Sequence, residues 1–380
     1  MKRSARGLAL KLAGAILTWT FLLLATGCGS GDFRPRAVGQ EGEILVVVDT
    51  SHWNGAIGTA LKETIGQWVG TLPAPERQFD LQPVSLRSED DLERARRHKN
   101  VIFVAPLNDT TNEALYIKNV FDSTAQAAIR QGQGAVVARQ DMFRRDQQIF
   151  YITGADSSAV VDAIFNRADE LTDAFTRITR RRVAQNMFER GRQRDLEEYL
   201  MNRHGFAVNV QHDYQIALDT TNFVWLRRVL PETWRSLFIY YIDNANPGLL
   251  SPEWIYDTRD SLTRMYIRGN LDGWVELDRR DLRPLETKNI DFLGRYGFET
   301  RGLWQMMGLE GGRLVQFGMG GPFVTYTFYD QASGRIYMID GMVFAPGYDK
   351  REFLRQMEVI AYTFRTQHDI DESQTVASSE

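Results

Sequence analysis

The chemistry legible in the chain begins with one thiol. Cys28, the single cysteine in 380 residues, follows Leu24-Ala25-Thr26-Gly27 and an apolar run that starts near Leu12; Lys2, Arg3, Arg6 and Lys11 lie ahead of that run. A basic start, an apolar stretch and small residues before a cut site form an export signal. A cysteine directly after the cut makes it a lipoprotein signal, in which diacylglycerol is attached to the thiol and Cys28 becomes the new N-terminus. As a helix, residues 12–27 would reach roughly 24 Å, short of the ~30 Å hydrocarbon core, and no basic stop follows Gly29. Two or three acyl chains hold a protein stably to a bilayer. The expected partner of Cys28 is therefore membrane lipid. Gly29 in place of an Asp after that cysteine leans towards an outer membrane, facing the periplasm.

Little else in the chain has the spacing of a catalytic centre. The G-x-S-x-G elbow, the Walker loop and H-E-x-x-H are absent. His52, His98, His204, His212 and His368 are not at ligand spacing, and no free thiol remains for zinc. Neither a metal nor a cofactor is expected. Asp49-Thr50-Ser51-His52 follows an apolar strand-like run, at the kind of position where open α/β sheets bind ligands. It resembles the D-x-S-x-S metal motif of von Willebrand A domains, but Trp53 stands where the last serine should be. A turn capping the next helix, with Ser51 or Asn54 as cap, is the plainer reading. Asp257 with Asp260, or Asp340 with a neighbour, could serve a hydrolase if folding gave them one cleft and split pKa values. Gly132-Gln133-Gly134 reads as a helix end. Gly318-Met319-Gly320-Gly321-Pro322 reads as a bulge or a close approach of backbones.

Without residues 1–27, which hold four basic side chains and no acid, the 45 basic and 49 acidic residues become 41 and 49, a net charge of −8. That excludes a general nucleic-acid binder. An exported chain can use disulfides, but this one has no second cysteine, so its stability must come from burial. A hydrophobic fraction of 43% and length enough for two cores indicate a folded protein.

The elements that must position any site follow from periodicity. Ile44–Val48, Val101–Val104, Ala135–Ala138 and Ile149–Ile152 read as buried strands between helical segments, which implies an α/β unit with a mainly parallel sheet over 43–155. A long helical connector covers 156–203, and Arg177, Arg180, Arg181, Arg182, Arg190, Arg192 and Arg194 crowd it. Such a segment is either a solvated face or a dock for anionic headgroups. An α+β region follows over 204–368, and its strand–strand–strand–helix order occurs twice, which suggests two similar halves. Residues 28–42 read as a lipidated flexible tether and 369–380 as a disordered acidic tail.

Phe223-Val224-Trp225-Leu226-Arg227, Arg301-Gly302-Leu303-Trp304, Met319–Val324, Asp340-Gly341 with Phe344-Ala345-Pro346, and Lys350-Arg351 with Gln356 and Glu358 resemble an uncharacterised family of bacterial lipoproteins, domain of unknown function 4837. The lipobox and overall length also agree, so the resemblance extends over almost the whole mature chain. It implies localisation and no chemistry. The expectation is a non-catalytic binding or assembly module of the cell envelope, contacting an envelope protein or small ligand through Trp304, Met319, Gly320, Gly321, Pro322 and Phe323. The alternative is a hydrolase of envelope glycan or lipid using paired carboxylates.

Overall fold

In the computed structural model the described residues are 32–379, apart from 133, 270–271 and 281–282. Cys28 and the export signal 1–27 lie outside them. In the first unit β1 (Glu43–Val47), β2 (Asp80–Val84), β3 (Asn100–Val104), β4 (Ala135–Gln140) and β5 (Gln148–Thr153) form one sheet in the order β2-β1-β3-β5-β4. All neighbours are parallel except the β4–β5 hairpin. The helices α1 (Thr50–Trp53), α2 (Ala56–Glu63), α3 (Glu89–Arg97), α4 (Asn112–Val120), α5 (Ser123–Arg130) and α6 (Ser157–Asn166) connect the strands or follow them. Central strands β1, β3 and β5 are buried on both faces, which is why they read as continuous apolar runs. The expected mainly parallel sheet is present. β2 escaped the sequence reading because it is a polar edge strand containing Pro83, which only an edge tolerates.

Two expectations about segment boundaries are corrected. Residues 35–42 are docked, not a free tether: the Arg145 amide donates to the Pro35 carbonyl at 3.0 Å, and the Lys99 amide to that of Val38 at 2.8 Å. The connector is three helices, α6, α7 (Ala168–Glu189) and α8 (Arg194–His204), with a break at Arg167. α7 joins the two cores. Phe175 packs edge-on to Phe150 in the first, and Met187 lies in the second. Midway, the buried Arg182 donates to Glu41 (2.7 Å), Asn100 Oδ1 (2.9 Å) and the Asp146 carbonyl (2.9 Å). Arg180 stacks on Tyr362 at 3.4 Å, and Arg192 pairs with Glu197. Arg182 alone of the seven is buried; Arg180 is half-buried, and Arg177, Arg181, Arg190, Arg192 and Arg194 stay exposed.

The second unit holds β6 (Phe206–Ala207), β7 (Gln215–Asp219), β8 (Phe223–Val229), β9 (Trp234–Ile242), β10 (Trp274–Leu277), β11 (Glu286–Phe292), β12 (Arg295–Glu310), β13 (Arg313–Asp330), β14 (Arg335–Phe344) and β15 (Arg365–Thr366). β6 pairs with β15 alone. The others make one eight-stranded antiparallel sheet, ordered β10-β12-β13-β14-β9-β8-β7, with β11 also on β12. Helix α9 (Pro252–Tyr266) covers one face through Ile255 and Leu262, against Phe223, Phe238 and Met338. Helix α10 (Arg351–Ala361) covers the other through Leu354 and Met357, against Leu237, Ile239 and Tyr326. This corrects the two-halves expectation. A two-fold axis relating the antiparallel strands β9 and β14 stands normal to the sheet and would keep both helices on one face. They lie on opposite faces, so the repeated element order is not a repeated structure.

The tail is also corrected: residues Gln367–Ser379 form helix α11. Its start is fixed where Asp369 accepts from the Thr366 amide (2.7 Å) and from Arg295 (2.7 and 2.8 Å). Helix α10 is capped from outside its own segment. The cap is Glu76 of the first unit, whose buried carboxylate accepts from the amides of Lys350 (2.7 Å) and Arg351 (2.9 Å). An acid at a helix N-terminus satisfies orphan amides and the macrodipole together, so this contact fastens the units. Glu76→Ala is expected to lower unfolding stability by about 1–2 kcal/mol, read from the urea midpoint.

A pH dependence follows from β12. Burial alone would raise the Glu299 pKa, but Arg301 (2.9 Å) and Lys288 (3.2 Å) outweigh it and hold the carboxyl at about 2, against its ordinary 4.5. Arg301 in turn binds Glu358 on α10 at 2.7 Å. Because the folded value is the lower one, the contribution is complete above pH 4.5 and is lost as pH falls towards 2. It is on the order of 3 kcal/mol. Thermal unfolding between pH 5 and 2 should fall less steeply in Glu299→Gln than in the native chain.

Candidate functional site

The α9 face of the second sheet holds a large hollow. Ser251 caps α9, accepting from the Trp254 amide at 3.2 Å, and Pro252 occupies the first turn, where its missing N–H is harmless. Arg259, one turn after Ile255, meets Asp340 of β14: Nε donates to Oδ2 at 2.6 Å and Nη2 to Oδ1 at 3.3 Å, with neither side chain exposed. Thr325 donates to the same carboxylate at 2.5 Å, and the guanidinium stacks on Phe323 at 3.8 Å. Thr263 donates to the Val275 carbonyl at 2.8 Å, tying the last turn of the helix to β10. The helix therefore ends part-way across the sheet.

Beyond its end the sheet face is bare, forming a trough of about 680 Å³. Alternation along the strands supplies the floor: Trp225 from β8, Trp234 and Ser236 from β9, Met342 and Phe344 from β14, Trp304 and Met306 from β12. Phe344 links the rings, 5.3 Å from Trp234 and 6.3 Å from Trp304. Two indole N–H groups are already used, that of Trp225 on Ser236 Oγ and that of Trp304 on the Val343 carbonyl at 3.2 Å. A second hollow of about 530 Å³ shares Trp234 and Phe344 and ends at Tyr348.

One wall is the glycine-rich run. It is a bulge inside β13, as expected: Gln305 pairs with Gly320 but Met307 with Gln316, so residues 317–319 loop out, with Gly318 at φ +66°. Phe317 and Met319 line the trough from this bulge. Of the six residues expected to bind a ligand, Trp304 and Met319 do line it. The other four support it from behind. A Cβ on Gly320 would lie 2.7 Å from the Trp304 carbonyl oxygen, and one on Gly321 2.0 Å from that of Val343. Pro322 pairs opposite Leu303, and Phe323 is buried under Arg259. Sequence reasoning missed Trp234, Met306, Met342, Phe344 and Arg227 as lining residues, and Trp225 reads equally well as core. The available signal was the alternation Trp225-x-Arg227-x-Val229, a strand face too mixed for a core.

The charged lining is mostly cationic. Arg227 and Arg268 are exposed and make no ion pair among the described residues. Arg235 is buried, and burial holds its pKa below the usual arginine value; Nη1 donates to Gln356 and the guanidinium lies 5.1 Å from the Phe353 ring. Asp213, the single acid among the described lining residues, is bound by Arg228 at 2.5 Å.

The other candidates are occupied elsewhere. Asp49, not Ser51 or Asn54, caps α1; the Ser51 hydroxyl (2.5 Å) and amide (2.8 Å) hold its carboxyl below the usual range. His52 is bound to Asp109 at 2.5 Å. Asp257 and Asp260 share Arg279, each at 3.1 Å. His368, Asp369 and Glu372 are the one group among the described residues close enough to hold a metal, and Asp369 is committed to Arg295. Among the described residues no helix is long and apolar enough to cross a membrane.

Residues 193–363 match the family described as Domain of unknown function (DUF4837). The second unit carries this match to DUF4837. It includes the whole trough, whereas residues 37–188 match a different family, Domain of unknown function (DUF8532). The DUF4837 match is thus narrower than the near-complete coverage the motifs implied. No curated protein matches the chain. Among solved structures, the Saccharomyces cerevisiae Ran-binding protein Mog1p is similar at 8% identity and a TM-score of 0.29, over 43% of this chain and 90% of that one. A Mog1 point mutant has the same identity and coverage and a TM-score of 0.27. Likeness at this level carries no argument about function.

The close approach at Gly321 predicts a sharp contrast. Gly321→Ala should lose at least about 2 kcal/mol in urea unfolding, because two strand backbones must part. Met319→Ala, on the half-buried bulge, should stay within about 1 kcal/mol.

Proposed function

We propose that the chain is a membrane-tethered envelope lipoprotein that works as a non-catalytic binding module, with the α9-face trough of the DUF4837 domain as its ligand site. The observation that carries this reading is the trough itself. Several indole and phenyl rings and methionines stand on one sheet face beside the end of a helix locked in place by a buried ion pair. Concave, mostly apolar hollows of ~300–1,000 Å³ with a few polar groups are the usual form of small-molecule sites. The tether rests on Cys28 and the residues ahead of it. The hydrolase alternative loses its support, because Asp257, Asp260 and Asp340 are each held by an arginine and do not line the trough. General acid–base hydrolysis needs two carboxylates facing one cleft.

Native mass spectrometry of the full chain, extracted from its host in digitonin, tests the reading. The expected mass starts at an acylated Cys28 and carries an added ligand. Trp234→Ala, a substitution at a side chain 42% exposed, should reduce the ligand-bound fraction without unfolding the protein. A lipidated chain with no ligand, or a ligand retained equally by the variant, would contradict the site.

A further inference from the structure

The trough combines an apolar floor with an unbalanced positive rim, and together these define the chemistry of its occupant. A sugar would need several free hydrogen-bonding groups on the floor. Instead the Trp225 N–H is engaged on Ser236 Oγ and the Trp304 N–H on the Val343 carbonyl. What the floor offers is ring faces and thioethers, which suit a flexible hydrocarbon. At the rim, Arg227 and Arg268 have no carboxylate partner among the described residues, and the Arg227 guanidinium lies 5.7 Å from the Trp225 ring. Arg235, 3% exposed, leaves its buried Nε without a hydrogen-bond partner. Asp213 is the one opposing charge among the described lining residues, and Arg228 neutralises it, although its Oδ1 is also unpartnered. A desolvated guanidinium N–H without an acceptor is costly, and its natural complement is an anion.

We propose that the trough holds an amphiphile with one acyl chain and an anionic head group, the chain on the aromatic floor and the head on Arg227 and Arg268. This rests on the trough being a ligand site, and it adds both the class of ligand and its orientation. The chain would lie across Trp304 and Phe344, and the head would face the rim that carries Arg227 and Arg268.

The test is tryptophan fluorescence titration of the full chain in digitonin, a detergent without an acyl chain. The probes are laurate, myristate and palmitate, methyl palmitate as the neutral analogue, lysophosphatidylglycerol, and inorganic phosphate. Each added methylene is expected to tighten binding about fourfold. Palmitate should bind about tenfold or more tightly than its methyl ester. R227E/R268E should remove that advantage while leaving the ester within about twofold. Both arginines are exposed, so the variant should keep its circular dichroism; Arg227→Ala with Arg268→Ala gives a second, milder loss. Tighter binding of lysophosphatidylglycerol than of palmitate would assign the head as a phosphate, and the reverse order as a carboxylate. Equal affinity for palmitate and its ester, with the chain-length dependence intact, would overturn the anionic head and leave the ligand site standing. Phosphate binding as tightly as palmitate would overturn the acyl chain. Failure of every acyl probe to bind the folded protein would overturn both the inference and the site.

Discussion

The Arg259–Asp340 pair sets the geometry on which everything in the second unit depends. Both side chains are fully buried, one on a helix and one in a central strand. Removing two charges from water costs nearly as much as their attraction returns, so such a pair adds little net stability. It does fix position, because a lone buried charge would cost several kcal/mol and α9 therefore has one acceptable seat. Thr325 and the Phe323 ring complete the seat, and the ring face partly compensates the Arg259 Nη1 that has no hydrogen-bond partner. With the helix held there, its last turn ends at Tyr266 and the far part of the sheet remains uncovered.

The uncovered part is shaped by glycines facing aromatic rings. A Cβ on Gly308 would lie 2.1 Å from the Phe317 ring, and Gly273 approaches the same ring from below. Glycine thus lets Phe317 lie flat against the strands, and the bulge at 317–319 turns it and Met319 inward. The opposite face is covered by α10, which is itself capped by Glu76 of the first unit. One face of the sheet joins the two units and the other is left partly uncovered.

Local pattern made much of this legible. The buried strands of the first unit, β8, β14 and α9 all announce themselves by apolar periodicity and caps. Gly297, Gly302, Gly308, Gly318, Gly320 and Gly321 would each pass for a break in a strand pattern, yet each lies within one of two strands of 16 and 18 residues. Glycine there answers a neighbouring ring or carbonyl that only the fold brings close. The Glu76 cap and the Arg259–Asp340 pair join residues far apart in sequence, with no local signal. Only Trp304 and Met319 of the candidate site were visible, because they belong to a compositionally odd run, while Met342 and Phe344 sit in a strand that reads simply as apolar.

The account stands on the ligand occupying the bare part of the α9 face. Photocrosslinking of the full chain in digitonin with a palmitate analogue bearing a chain-end diazirine, followed by peptide mapping, tests this most directly. Label on the peptides that hold Trp225, Trp304 and Met342–Phe344, displaced by excess palmitate, is the expected result. Displaceable label on the first unit or on the α10 face, with those peptides unlabelled, would contradict it.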